Sequence, residues 1–166
     1  MALRELASLE KYLGLKKPNK YSSRGDKKVT KPCMGLVTIA RHLVKEAKQP
    51  ELLGEAAEDR AVVHQWLEYR VSKLDGCNKE ESRTILKDLD LYLQDKVCMA
   101  GNHFTLADVL MYNGIHPLIM DLTFQEKERY MNVTRWFDHI QHRAGIRHHL
   151  PPVVVLRNRI YSAKQP

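Results

Sequence analysis

Apolar residues along this chain recur at steps of three and four through most of its length, a period that belongs to helices. Leu3, Leu6, Leu9 and Leu13, followed by Gly14, predict a short amphipathic helix over 3–13. "NKYSSRGDKKVTKP" then places turn residues between two short extended pieces and predicts a short hairpin. Leu36, Ile39, Ala40, Leu43, Val44 and Ala47 predict a second helix over 36–48, which "QPELLGE" breaks. Beyond the break, Val62, Val63, Trp66, Leu67, Val71 and Leu74 line one side of a helix stopped by Gly76. Ile85, Leu86, Leu89, Leu93 and Val97 line a single face of the next. Residues 105–122 are apolar nearly all round, which puts that helix in the middle of a bundle. Pro117 removes one backbone donor, leaves the Asn113 carbonyl unpaired and predicts a bend near Gly114. After the charged "FQEKERY", Val133, Trp136, Phe137 and Ile140 turn inward in a last helix. The expectation is a mainly α chain with a reduced amino-terminal subdomain over residues 1–49, a linker over 50–54 and a helical domain over 55–166.

A length of 166 residues with 43% apolar composition is enough for one domain, or two small ones, around a folded core. No apolar run approaches the roughly 18 residues that span a bilayer. "MALRELASLEKYLGLKK" carries charges where a signal peptide would be uninterruptedly apolar, so an intracellular protein without membrane contact is expected. Cys33, Cys77 and Cys98 are odd in number, without a CxxC pair or metal-ligand spacing, and read as reduced thiols. The charge of +7 is unevenly placed. Residues 1–54 hold twelve Lys or Arg against five Asp or Glu, whereas residues 55–166 hold fifteen of each. The excess concentrates in Lys16, Lys17, Lys20, Arg24, Lys27, Lys28 and Lys31, opposed only by Asp26. Such a run suits phosphates, an anionic protein surface, or water alone.

In "NHFTLADVLMYNG" Thr105 and Asp108 stand three apart at the mouth of the apolar helix. This is a capping box with Asp in place of the usual Glu: the hydroxyl accepts from the Asp108 N–H and the carboxylate reaches back to the Thr105 N–H. Phe104 and Val109 form the matching hydrophobic staple, and the negative charge sits at the positive end of the helix dipole. A lone carboxylate with no second acid, metal ligand or nucleophile beside it points to folding rather than catalysis.

"FTLADVLMYNG" opening a buried helix, after two amphipathic helices and a small amino-terminal region, resembles the carboxyl-terminal domain of the glutathione transferase fold. "VHQWLEYRV", "LKDLDLYLQDKV", "QEKERYMNVTRWFDHIQH" and "GIRHHL" more closely resemble the aminoacyl-tRNA synthetase complex-interacting multifunctional protein family, over about residues 5 to 160. The resemblance implies a glutathione-transferase-like fold with a truncated thioredoxin-like amino-terminal region ahead of the helical bundle. At about 50 residues that region is too short to fold unaided.

A glutathione transferase needs a hydroxyl or thiol at the end of its first strand and a Ser opening its third helix. Here Ser8 and Tyr12 sit inside the first helix. Alignment on Ile39 and Leu43 puts Gly35 at the family's Glu position and Leu36 at its Ser position, and leucine accepts no hydrogen bond. Cys33 is the one candidate nucleophile, with Lys31 near enough to lower its pKa, but it lacks a CxxC partner and so reads as an unremarkable loop thiol. His139 with His142, and His148 with His149, do not supply a closed ligand set. No enzyme activity, cofactor or metal is expected.

The resemblance implies instead a scaffold of the multi-tRNA synthetase complex that docks the glutathione-transferase-like domains of methionyl-tRNA synthetase and glutamyl-prolyl-tRNA synthetase among other members. One face would correspond to the dimer face of the wider fold, with helix 36–48 beside the outward residues Ala57, Arg60, Ala61, His64, Gln65 and Glu68. An ordinary solvated face has the same composition. The family also uses the Arg before the Trp of "NVTRWF" as a contact to the neighbouring synthetase domain, which is Arg135 here. A guanidinium there binds a carboxylate bidentately or stacks on a planar partner; the alternative is local pairing with Asp138. Nucleic-acid binding by the run 16–31 is the rival class, and it would be weak, electrostatic and salt-dependent. A cytoplasmic location, with a nuclear role beside DNA-damage signalling kinases, is implied by the resemblance alone.

Overall fold

The computed structural model describes residues 2–15 and 32–155. The hairpin expected from residue 19, the basic run 16–31 and the Cys33 side chain lie outside the described residues. Helix α1 spans Ala2–Tyr12 and α2 Pro32–Glu46, followed by a 3-10 turn at Pro50–Leu53. Helix α3 spans Ala57–Tyr69 and widens into a π turn at Arg70–Leu74; α4 spans Lys79–Tyr92 and tightens into a 3-10 turn at Leu93–Asp95. Then come α5, Leu106–Asp121, α6, Phe124–Arg129, and α7, Met131–Gln141. Among the described residues the only β pairing is an isolated bridge between Cys98 and Gly101.

The fold is glutathione-transferase-like and mainly helical. Helix α5 is its axis. Every residue from Leu106 to Asn113 is buried, and α5 packs on α1, α3 and α7. It runs unbroken through Pro117. The stripes that the periodicity marks are buried: Leu6 and Leu9 on α1 with Leu13 in the turn after it, Val63 and Leu67 on α3, and Val133, Trp136, Phe137 and Ile140 on α7. Fully burying one such side chain contributes about 1.5–3 kcal/mol. Two apolar residues break the pattern. Val97 is 47% exposed because α4 ends at Tyr92 and the tight turn after it abandons the helical register. Met120, the penultimate residue of α5, is also 47% exposed.

Caps delimit the helices. Asn78 Oδ1 accepts from the N–H groups of Glu80 and Glu81 at 3.0 and 2.8 Å, while the Glu81 carboxylate returns to the Asn78 N–H at 2.9 Å. The charged "FQEKERY" contains a helix that apolar periodicity does not reveal. Thr123 and Glu126 close a capping box around α6, with bonds of 2.9 Å from the Thr123 N–H and hydroxyl to the Glu126 carboxylate.

One polar cluster crosses the core. The π turn carries Arg70 inward until it is 3% exposed. Its Nε donates to the Leu110 carbonyl at 3.2 Å, Nη2 to Glu5 of α1 at 2.9 Å, and Nη1 to Asp75. Gly114 makes the passage possible, since a Cβ there would lie 2.1 Å from Arg70 Nε. Glu5 is buried as well, and among the described residues its second oxygen, Oε2, has no partner. Burial pushes the Glu5 carboxyl above the ordinary range, and the facing Arg70 only partly pulls it back.

A folded-state pKa raised above the unfolded value fixes the sign of the pH dependence. Below about pH 4.3 both states hold the proton and the contribution of Glu5 to stability is whole; as the pH rises through the folded value it is lost. The wild type should therefore gain stability relative to Glu5→Gln, whose amide does not titrate, on going from neutral to about pH 4. Urea unfolding of both proteins at the two pH values checks this, and an unchanged difference contradicts it.

Candidate docking faces

On α3 the six residues between the buried positions, Ala57, Arg60, Ala61, His64, Gln65 and Glu68, are all exposed. His64 lies 3.8 Å from Glu68 one turn on, and Arg60 Nη1 donates to the Glu55 carbonyl at 3.2 Å. A groove separates this helix from α2, lined by Thr38, Arg41, His42 and Lys45 on one wall and His64 and Glu68 on the other. Two alanines permit close approach of another helix, and the charges of the walls are of both signs.

Arg135 is exposed on the first half of α7. Its Nη2 donates to the carbonyls of Leu93 and Lys96 at 2.7 and 2.9 Å, in the turn that follows α4. Among the described residues Nε and Nη1 have no partner, so one edge of a pinned guanidinium faces outward. The alternative pairing with Asp138 is not formed: Asp138 accepts from Gln141 Nε2 at 2.7 Å and stands 3.6 Å from His142 Nδ1.

Residues that periodicity did not place outward also belong to this side of the molecule. Asp90 of α4 caps α7, its Oδ1 accepting from the N–H groups of Asn132 and Val133 at 2.8 and 3.1 Å. The neighbours of that joint, Leu91 and Met131, are 72% and 69% exposed, and Val97 adds a third apolar side chain beside Lys96. Leu91 lies off the buried stripe of α4, which is the signal in the sequence that could have found it.

The α7 face is seated by Asp108. At the start of α5 the Asp108 carboxylate reaches back as expected, accepting from the Thr105 N–H at 2.9 Å and from its hydroxyl at 3.1 Å, while the Asp108 N–H donates to the Thr105 carbonyl at 3.1 Å rather than to the hydroxyl. The other oxygen reaches further than a cap. It accepts from the Met99 N–H at 2.8 Å and from Trp136 Nε1 of α7 at 2.9 Å. Burial pushes the Asp108 carboxyl up while these four bonds oppose the rise.

Side chains with nucleophilic or ligating chemistry serve the fold. Ser8 Oγ lies 2.7 Å from His149 Nδ1 and ties α1 to the carboxyl-terminal loop, and Tyr12 packs edge-on against Phe104. Leu36, at the position of the transferase serine, is 3% exposed, and Gly35 is half-buried. Burial and the charge of Asp108 push the Cys98 thiol up to about 12, so it is not a thiolate near neutral pH. His139, His148 and His149 are exposed, and His142 Nδ1 lies 2.8 Å from the Asp138 carbonyl.

A glutathione-transferase-like helical bundle with exposed helix faces defines the class, and residues 59–144 match the family model described as nuclear-export cofactor Arc1p. The chain is 54% identical to eukaryotic translation elongation factor 1 epsilon-1 of Homo sapiens, the alignment covering 97% of each. It is 32% identical to the tRNA-aminoacylation cofactor arc1 of Schizosaccharomyces pombe over 68% of this chain and 24% of that one. A stretch making up 7% of the bifunctional glutamate/proline–tRNA ligase of Mus musculus is 23% identical over 66% of this chain. The chain belongs to the family of eukaryotic translation elongation factor 1 epsilon-1.

Replacing Asp108 by Ala leaves the Met99 and Trp136 donors buried without acceptors. It should destabilise the protein by about 3–5 kcal/mol, against about 1 kcal/mol for an ordinary cap. Equilibrium denaturation measures the loss, and a value near 1 kcal/mol would reduce Asp108 to a cap.

Proposed function

We propose that the chain is a non-catalytic adaptor among aminoacyl-tRNA synthetases. The α2/α3 face takes the glutathione-transferase-like domain of methionyl-tRNA synthetase, and the α4/α7 face takes that of glutamyl-prolyl-tRNA synthetase. The observation that carries this reading is that one helical bundle is similar both to a protein named as a tRNA-aminoacylation cofactor and to a stretch of a tRNA ligase. Domains of one fold present like helices to one another, so a face formed by two helices here has a counterpart on the ligase stretch. The buried Leu36 and the protonated Cys98 support a non-catalytic role.

On the α4/α7 face an outward Arg together with the exposed apolar side chains of Leu91, Met131 and Val97 has the residue types of an interface hot spot. Membership of the wider synthetase complex, the cytoplasmic location and the nuclear role beside damage-signalling kinases rest on the sequence resemblance alone.

Calorimetric titration with each purified synthetase domain, using wild type and Arg135→Glu, tests the assignment. Both domains should bind the wild type saturably, and the substitution should abolish binding of the glutamyl-prolyl domain only. Failure of both to bind at about 50 µM, equivalent to less than roughly 6 kcal/mol of affinity, overturns the adaptor reading.

A further inference from the structure

Helix α2 is seated on the two turns that flank α3. Helix α2 touches the 3-10 turn at Pro50–Leu53 and the π turn at Arg70–Leu74; that π turn also packs on α3 and α5. Helix α1 in turn packs on α2 and α5. The side chain that links these pieces is Arg70, which rises from the π turn, passes the Cβ-free notch at Gly114, and holds Glu5 of α1 and the Leu110 carbonyl of α5.

We propose that Arg70 is the positioning residue of the α2/α3 docking face, fixing through Glu5 the register of the α1–α2 pair against α3 and thereby the spacing of the groove walls. The inference rests on the reading of that face as a docking surface. A merely cohesive role is poorly served by this arrangement. An ion pair at 3% and 8% side-chain exposure gains little over apolar residues of similar volume, and here one carboxylate oxygen has no partner among the described residues. What a three-way fork supplies and an apolar contact does not is direction. Its donors fix three elements at set angles, whereas leucines slide.

The test replaces the pair by apolar residues of similar size, Glu5→Leu with Arg70→Met; Asp75, which is 40% exposed, is left to solvent. The variant should keep a cooperative unfolding transition. Its affinity for the methionyl-tRNA synthetase domain should fall about tenfold, with affinity for the glutamyl-prolyl domain unchanged, as expected for loss of a coupling between register and one face only. In the free protein, hydrogen exchange of α2 amides should quicken while that of α7 does not. Unaltered exchange in α2, or equal loss of affinity at both faces, overturns the proposal. Should wild type bind neither domain, the docking reading fails while the exchange measurement still decides whether Arg70 sets the position of α2. Should the double variant not fold, the milder Glu5→Gln carries the same two measurements with the same signs.

Discussion

The Asp108 carboxylate collects four donors from three places in the chain: the start of its own helix, the Met99 backbone in the loop after α4, and the indole of Trp136 on α7. Three pieces separate in the sequence are thus indexed to one pair of oxygen atoms. Wholly buried, the group has no water to fall back on, so its bonds are either all made or heavily missed. With Trp136 placed, Val133, Phe137 and Ile140 drop into the core beside it, and Arg135, one residue before the indole, is turned outward onto the carbonyls of Leu93 and Lys96. The geometry of the α4/α7 surface is in this sense set from inside the core.

The amino-terminal side is arranged on the same plan with the opposite charge at its centre. Arg70 gathers Glu5, Asp75 and the Leu110 carbonyl, and α5 supplies contacts to both hubs, the carboxylate at its first turn and Leu110 and Gly114 further along. A buried polar cluster costs desolvation that apolar packing does not, and under the proposed adaptor reading direction counts for more here than cohesion. A protein whose work is done by helix faces has that requirement: a face displaced by an ångström still folds but no longer fits.

Much of this was legible in the pattern of residues. Steps of three and four find α1 to α5 and α7, and the unpatterned apolar helix is indeed the buried axis. The interleaved residues of α3 emerge on its exposed side because α3 packs with one narrow stripe. Other features escape periodicity for physical reasons. Helix α6 is six residues long and is held by its capping box rather than by an apolar face. Val97 follows a helix that stops, so counting in steps of 3.6 carries it to the wrong side. Arg70 belongs to a run that reads as the end of a helix, and nothing local announces that a π turn swings it into the core, where its partners are 65 and 40 residues away. Thr105 and Asp108 were readable as a cap, but the indole that makes the carboxylate a hub lies 28 residues further on.

An adaptor with two separately seated faces differs from a simple heterodimer partner in one measurable respect, which is occupancy by two ligands at once. Native mass spectrometry of the chain mixed with the methionyl and glutamyl-prolyl synthetase domains together reads this directly. A ternary complex containing one copy of each is the expected species. Only binary complexes, each excluding the other domain, would mean that the two faces are one site and would contradict the account.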